Sequence, residues 1–389
     1  EPMARTSLRV AYFAGSMKPG HDGVTRVLYR MISSLARHGI RSVFYSAIVP
    51  PPDDRPADMV QVPSIAFPAY PEYRVPLPGQ RHFDRQLTTF RPDLIHINSP
   101  CPLGYAAVQY GREHGVPVVA TYHTHFPSYA RYYKMRPLEL LSWNYLRRLY
   151  GGCSRIYVPS MPILRELASR RIKNLKHLPH GVDTGVFNPG YRSNEWKKRL
   201  RIEGKSALLF AGRLVWEKDL ETLIGTYQLL TKRRSDLVFV LAGDGPIRGE
   251  LQDRMPRAVF LGQIGGADLS TAYASSDLLV FPSTTETFGN VVLEAMASGI
   301  VPVCANQGGP AGIIQQGVTG LLARPRDAAS LAEFAEYLVD HPGKRAEIAD
   351  QALASARRQG WDRIFDELFT DYRAVVEEYG RRLNRKRAA

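Results

Sequence analysis

Cysteine is scarce: the 389 residues hold three, Cys101, Cys153 and Cys304. They lie far apart, with no metal-binding spacing and no paired framework. This excludes a disulfide-stapled secreted domain and fits a reducing, cytosolic compartment. No apolar run reaches the ~18 residues of a membrane span. The opening residues Glu1 to Ser7 lack the apolar core of an export signal. Two further patterns are missing. There is no Asp-x-Asp pair of the kind that holds a metal, and no G-x-G-x-x-G loop of the dinucleotide-binding folds. Acidic residues are outnumbered, 37 against 51 Lys and Arg, for a formal net charge of +14.

A hydrophobic content of 44%, with glycine and proline spread throughout, describes a globular chain long enough for two full cores. The positive charge is uneven. Residues 1–185 carry 24 Lys and Arg against 12 Asp and Glu, and residues 381–389 add five more cations. Basic surfaces suit nucleic acid, anionic lipid or anionic substrates. Here the aromatics cluster with apolar helix positions and no RNA-binding signature is present, so nucleic acid is not an expected partner.

Strand and helix signals alternate along the chain. Leu8 to Phe13 reads as a strand, followed by a glycine-bearing loop from Gly15 to Gly23 and a helix from Val24 to Arg37. After a strand at Arg41 to Val49, the proline-rich passage Pro50 to Pro78 reads as a long surface excursion. Strands at Asp93 to Ile97 and Val116 to Thr121 flank a helix from Leu103 to His114. The second of these strands ends in His123-Thr124-His125. Ligands of open α/β sheets sit beyond the carboxyl ends of strands, so both histidines are candidate site residues. The segment from Tyr129 to Tyr150 is basic, aromatic and, from Pro137, helical. Leu138, Leu141, Tyr145 and Leu149 fall near one face, while Arg131, Lys134, Arg136, Arg147 and Arg148 supply positive charge and Trp143 broadens the apolar surface. That composition suits an interfacial membrane segment, and equally a helix with a core face and an arginine rim.

The turn-rich stretch beginning at His180-Gly181-Val182-Asp183 reads as a domain boundary, after which the alternation restarts. Buried strands interleaved with helices give an α/β fold with two doubly wound parallel sheets. The expected domains are residues 1–185 and 186–360, with a final helix and basic tail over 361–389. Three strand ends of the second sheet carry groups suited to a phosphate-bearing ligand. One ends in Gly212-Arg213, with Lys218 before the next helix; Arg213 can grip a phosphate with two N–H groups and Lys218 is a point charge. Another ends in Gly243-Asp244-Gly245. The third is the stretch Phe281 to Gly299: a buried strand, a polar loop containing Glu286, and a helix opened by Phe288-Gly289-Asn290. Glu294 lies four residues after Asn290 on the same helix face. Open helix N–H groups attract anions, and the carboxylates can hold hydroxyls. Amides and cations for phosphate, with carboxylates for hydroxyls, describe a sugar nucleotide.

These stretches, GRLVWEKD (212–219), AGDGP (242–246) and ETFGNVVLEAMASGIVPV (286–303), resemble the retaining glycosyltransferases of family 4. HGVD (180–183) and WDRIFDELFTDY (361–372) extend the likeness over nearly the whole chain. YHTHFPSY (122–129) and VPS (158–160) are similar to two branches, the sulfoquinovosyl-diacylglycerol synthases and the bacterial GDP-mannose-dependent mannosyltransferases. The resemblance implies the GT-B fold: two Rossmann-like domains facing a cleft, the first for the acceptor and the second for the nucleotide sugar, with the last helix packing back on the first. It also implies residue roles. Arg213 and Lys218 neutralise the donor diphosphate, helped by the amides of Gly289 and Asn290. Glu294 binds the ribose, Glu286 the donor sugar, and His123 faces that sugar from the other domain. Gly23, Gly243, Asp244, Ile264 and Phe288 complete the donor site, Ile264 by its backbone at the base. In the first glycine loop Asp22 stands beside Gly23, where the family usually carries paired glycines.

The function so implied is a retaining transfer of a hexose from a UDP- or GDP-sugar, with no cofactor and no metal. The basic first domain and tail favour a lipid or lipid-linked acceptor at an anionic membrane surface, with Arg131, Lys134, Arg136, Trp143, Arg147 and Arg148 as contacts. The expected location is cytoplasmic, on the inner face of the cell membrane. The competing readings are a soluble sugar or polyol acceptor, and a sugar-nucleotide epimerase of the same architecture.

Overall fold

The computed structural model describes residues 7–19, 23–67, 70–77, 81–132 and 134–388. Gly20, His21 and Asp22 of the first glycine loop lie outside these, as does Tyr133. The first half runs β1 (Arg9–Ala14), α1 (Gly23–Arg37), β2 (Arg41–Ser46), β3 (Asp58–Gln61), β4 (Ser64–Phe67), β5 (Tyr70–Pro76), α2 (Arg81–Phe90), β6 (Leu94–Ile97), α3 (Pro102–His114), β7 (Val118–Thr121), α4 (Phe126–Tyr132), α5 (Arg136–Tyr150), β8 (Arg155–Val158), α6 (Met161–Ser169) and β9 (Leu175–His177). The second half runs α7 (Asn194–Arg199), β10 (Ser206–Ala211), α8 (Leu220–Arg233), β11 (Leu237–Ala242), α9 (Arg248–Arg254), β12 (Val259–Gly262), α10 (Gly266–Ser275), β13 (Leu278–Phe281), α11 (Asn290–Ala297), β14 (Val301–Ala305), α12 (Pro310–Ile313), β15 (Leu321–Ala323), α13 (Ala328–Asp340), α14 (Pro342–Arg357) and α15 (Trp361–Ala388).

Two parallel sheets result, one in each half. The first has the order β3-β2-β1-β6-β7-β8-β9, the second β12-β11-β10-β13-β14-β15. Both are covered by helices on two faces, which is why their central strands are apolar throughout. Along β1, Val10, Tyr12 and Ala14 point to a core shared with α1 and α15. Ala11 and Phe13 point to the opposite core, against α2 and α3. The second sheet has a core of its own, which Val182 already joins.

The passage from Pro50 to Pro78 is a correction to the sequence reading. It holds β3, which pairs in parallel with β2, and the antiparallel β4–β5 hairpin. Pro56 and Pro63 flank β3 without interrupting it, so the N–H groups needed for pairing are intact. At the other end of the chain, α15 crosses back onto the first half. Ile364, Phe365, Leu368, Phe369, Tyr372 and Val375 are buried beside β1 and α1. Asp371 accepts from Tyr157 Oη at 2.9 Å and from Lys176 Nζ at 2.9 Å.

Strand order reverses between β1 and β6 in the first sheet, and between β10 and β13 in the second. Loops leaving adjacent strands at such a point diverge to opposite faces and open a crevice. The segments that carry Arg213, Lys218 and Glu286 leave β10 and β13, the two strands flanking the second reversal.

Candidate functional site

The site is built from the loop after β13. Ser283, Thr284, Thr285 and Thr287 are all buried although polar, so each needs a partner. Thr285 Oγ1 donates to Glu217 O at 2.9 Å, tying the loop to the segment after β10. Ser283 Oγ donates to Glu286 Oε1 at 3.0 Å, and Lys218 Nζ pairs with the same oxygen. One carboxylate oxygen is thereby saturated, and Oε2 has no hydrogen bond among the described residues. Lys218 lies in a single 3-10 turn at Trp216–Lys218, closed by Asp219 in the left-handed region (φ 56°). Burial raises the Asp219 carboxyl to about 6, despite a hydrogen bond from Thr222. Arg213 is exposed on the same segment and forms no ion pair among the described residues. The loop thus holds one cation against a carboxylate and leaves a second directed to solvent.

The glycine-rich run Asn306 to Pro310 buttresses Glu286. Gly309 N–H donates to Glu286 O at 2.8 Å. A Cβ at Gly309 would lie 2.2 Å from Phe288 O, and one at Gly308 2.7 Å from Glu286 O. Gly289, at φ 98°, turns the chain into α11, whose N-terminus no side chain caps. The positive end of the helix is left for an anion. One turn on, Glu294 is buried; its Oε2 accepts from Tyr273 Oη at 2.9 Å, and its Oε1 faces Arg26 of α1 at 3.6 Å.

The wall across the cleft comes from the first domain and the linker. His123 follows β7, and its Nε2–H donates to Asn98 Oδ1 at 3.3 Å. His180 donates through Nδ1–H to Asn290 Oδ1 at 2.8 Å. The two imidazoles stand 5.7 Å apart. Burial, then the neighbouring His180 and His96, hold His123 well below its ordinary range. Burial likewise lowers His180 to about 4. Both rings are therefore neutral at physiological pH, and each keeps one nitrogen as an acceptor. Gly23 opens α1 at the same place: a Cβ there would meet Asn290 Nδ2 at 3.5 Å. Gly23, His123, Lys218, Glu286, Gly289, Asn290 and Glu294 are thus brought to one cleft.

Other expected residues are placed differently. His125 turns into the first domain's core. Its Nδ1 meets Tyr122 Oη at 2.6 Å, and its Nε2 faces Glu166 Oε2 at 3.1 Å. Gly243 and Gly245 make room for a neighbouring loop rather than for a ligand: Cβ atoms there would fall 1.9 Å from Gly212 O and 2.2 Å from Leu214 O. The Asp244 carboxylate is occupied by Gly245 N–H and Arg248. Phe288 is a core side chain packed on His180, with ring centroids 4.9 Å apart. Ile264, in the turn between β12 and α10, packs its side chain against the second core, a placement that does not involve its backbone, the group expected at the base.

On α5 the buried face is Trp143, Leu146, Leu149 and Tyr150. Trp143 is 2% exposed with Arg170 stacked over it, so it is no surface contact. Arg131 is committed to Glu139 and Glu166 at 2.8 and 2.9 Å. The outward face instead presents Leu138, Leu140, Leu141 and Tyr145, with Lys134, Arg136, Arg147 and Arg148 exposed around them. The sequence reading placed Leu138, Leu141 and Tyr145 together with Leu149, whereas the structure separates them onto two sides of the helix. Among the described residues no helix is long and apolar enough to cross a membrane. Nor does any group of three His, Cys, Asp or Glu side chains among them lie where it could hold a metal ion.

Sequence reasoning passed over Ser160, Thr287, Tyr273, Asn98 and Arg26. The one signal available was the run of hydroxyls around Glu286, polar residues in a loop between two buried elements.

Two parallel-sheet domains, with cations and carboxylates on the loops at the strand-order reversal of the second and a histidine after β7 of the first bonded across through its carbonyl to the β13 loop, describe a GT-B glycosyltransferase. Residues 21–186 match the family described as Glycosyltransferase Family 4, and residues 192–354 match Glycosyl transferases group 1. The GDP-mannose-dependent alpha-mannosyltransferase of Corynebacterium glutamicum is 33% identical over 383 residues, 95% of this chain and 89% of the relative. Sulfoquinovosyl transferase SQD2 of Arabidopsis thaliana is 34% identical over 77% of this chain and 60% of its own. Alpha-monoglucosyldiacylglycerol synthase of Streptococcus pneumoniae is 26% identical over 77% and 71%. Among solved structures, sucrose-phosphate synthase from Thermosynechococcus elongatus superposes with a TM-score of 0.79 at 19% identity, covering 95% of this chain and 100% of that one. The chain belongs to the family 4 glycosyltransferases. It is a hexosyltransferase that uses a nucleotide sugar.

Proposed function

We propose that the enzyme transfers mannose from GDP-mannose, with retention of configuration and without a metal, to a lipid or lipid-linked acceptor at an anionic membrane surface. The choice of GDP-mannose rests on the Corynebacterium relative, which matches the chain nearly end to end.

The observation that carries the chemistry is the Lys218–Glu286 pair beside the uncapped start of α11. The sugar-phosphate bond breaks with positive charge growing on the sugar ring and negative charge on the departing diphosphate. Lys218, Arg213 and the amides at Gly289 and Asn290 would meet the negative charge, and fixed donors of this kind are worth roughly 3 kcal/mol each in the transition state. With two cations at the diphosphate, no metal is required. The second oxygen of Glu286 would accept from a sugar hydroxyl, and Glu294 from the ribose through Oε1, whose contact with Arg26 is a long one at 3.6 Å. The acceptor nitrogen of neutral His123 suits a further sugar hydroxyl. The acceptor oxygen attacks the anomeric carbon from the face the diphosphate leaves, the bond to the phosphate oxygen breaks, and that oxygen takes the acceptor's proton. No base from the protein is needed, in keeping with a histidine too buried to be charged.

The lipid acceptor is supported by the outward face of α5. Leu140 and Leu141, 63% and 65% exposed, would each contribute ~1–2 kcal/mol on burying that remaining surface in lipid. Each nearby Lys or Arg adds about 1 kcal/mol at an anionic surface. Arg381, Arg382 and Arg385 of the tail are exposed. The S. pneumoniae relative's name identifies a diacylglycerol glycolipid as its product. The proposed location is accordingly the inner face of the cell membrane. Labelled GDP-mannose and UDP-glucose should be offered to the full chain with phosphatidylglycerol vesicles carrying extracted lipids, and with phosphatidylcholine vesicles carrying the same lipids. The expected result is label from GDP-mannose in the lipid phase, faster on the anionic vesicles. Label confined to water-soluble products, or transfer from UDP-glucose alone, would overturn the proposal.

A further inference from the structure

Two short hydrogen bonds cross the cleft where its walls meet. Thr287 Oγ1 donates to His123 O at 2.7 Å. Ser160 Oγ, at the start of α6, donates to Thr287 O at 2.7 Å. Ser160 is 2% and Thr287 8% exposed, so neither hydroxyl can replace its partner with water while the cleft is closed. Thr287 both accepts from one strand end of the first domain, through its carbonyl, and donates to the next, through its side chain. It follows Glu286 directly in the chain, and His123 lies on the other side of the bond. Backbone packing continues the contact: a Cβ at Gly312 of α12 would lie 2.8 Å from Pro162 Cδ and 3.3 Å from Ser160 Cβ.

We propose that Thr287 and Ser160 form an interdomain clamp that sets the distance between His123 and Glu286, and so the width of the donor-sugar pocket. They are positioning residues: neither need touch the donor. The inference rests on the reading that His123 and Glu286 face the sugar. Its physical content is that the two groups sit on separate domains, each free to move with its own sheet. A bond between Thr287 and the His123 carbonyl fixes both at once, through the residue after Glu286 and the backbone of His123 itself. Small errors in such placement are costly to rate, whereas the nucleotide, held by Arg213, Lys218 and Glu294, is bound with the cleft open or closed.

Threonine-to-valine exchange keeps the shape and removes the hydroxyl. Thr287→Val leaves the His123 carbonyl unpaired, and Ser160→Ala does the same to the Thr287 carbonyl. The full-length chain and these variants should be compared with Thr287→Ser by hydrogen exchange of the ligand-free protein over residues 119–128 and 283–290. GDP affinity and GDP-mannose turnover complete the comparison. The expected result is faster exchange in both segments and a roughly tenfold or greater fall in kcat for T287V and S160A. GDP affinity should stay within about twofold of wild type, and T287S should recover both properties. If T287V does not fold, as its melting curve would show, S160A carries the comparison. Wild-type exchange and turnover in the variants would overturn the clamp. So would serine as impaired as valine, or a change in only one of exchange and turnover. Failure of wild-type enzyme to turn over GDP-mannose would instead count against the donor proposed above. Exchange alone would then decide the clamp, with unaltered rates in T287V refuting it.

Discussion

Glu286→Gln isolates the charge of one carboxylate while keeping its shape. In the structure Glu286 Oε1 is held by Lys218 and Ser283, and the rest of the carboxylate is free for a sugar hydroxyl. The exchange removes an ion pair from Lys218 and turns a charged acceptor into a neutral amide. A hydrogen bond to a charged group is worth ~1.5–3 kcal/mol. A loss of ~2.7 kcal/mol from the transition state corresponds to about 100-fold in rate. Because the sugar ring gains positive charge as the diphosphate departs, the loss should fall on kcat more than on KM. The assay is release of nucleotide from GDP-mannose under saturating donor, with GDP affinity measured by calorimetry as a control. Affinity for GDP should change little, since the carboxylate is assigned to the sugar. A fall of ~100-fold or more in kcat with unchanged GDP binding is expected. Near wild-type turnover would remove Glu286 from the site, and parallel loss of GDP affinity would place it on the nucleotide instead.

The buried imidazoles make stability depend on pH. His96 is lowered to about 3 and His180 to about 4, both by burial, and His123 lies well below its ordinary value. Bases with depressed folded values stabilise above ~6.5, and that contribution is lost as pH falls toward 4; His180 alone accounts for on the order of 3 kcal/mol. Asp219, raised to about 6, acts oppositely, losing its contribution as pH rises through 6, and three histidines outweigh it. Urea midpoints should therefore fall from pH 7 to pH 4.5, and a flat profile would contradict this assignment. On α5, Trp143→Ala should cost ~3–5 kcal/mol in denaturant unfolding, whereas Leu140→Ser with Leu141→Ser should leave the melting temperature near wild type and abolish flotation with phosphatidylglycerol vesicles. The reverse pattern would mean that the exposed face has been misassigned. Glu294→Gln should weaken GDP binding about tenfold, because a neutral amide would replace the charged acceptor proposed for a ribose hydroxyl; unchanged affinity would place the ribose elsewhere.

The loops after β10 and β13 were legible because their signals are local. An apolar run, a glycine and a charged turn lie within twenty residues, and the parallel sheet then brings both loops to one end. The two apolar stripes of α5 were not separable in the same way. Leu138, Leu141 and Tyr145 repeat with helical spacing, but so do Trp143, Leu146 and Tyr150. Which stripe is buried is decided by distant partners such as Arg170 and His125. Gly243 shows a different limit. A glycine after a strand signals close approach, but not what approaches, and here it is the backbone of Gly212. The partners of Thr287 and Asn290 lie more than a hundred residues away, across a domain boundary. No periodicity records such pairings.

The most direct test of the proposed chemistry is the anomeric configuration of the product made from GDP-mannose in the presence of EDTA, read by NMR of the purified glycolipid. An alpha-linked mannose, formed at an undiminished rate, is predicted, because in the proposed reaction Arg213 and Lys218 take the place of a metal and attack comes from the face of the leaving diphosphate. A beta-linked product, or activity abolished by EDTA and restored by magnesium, would contradict it.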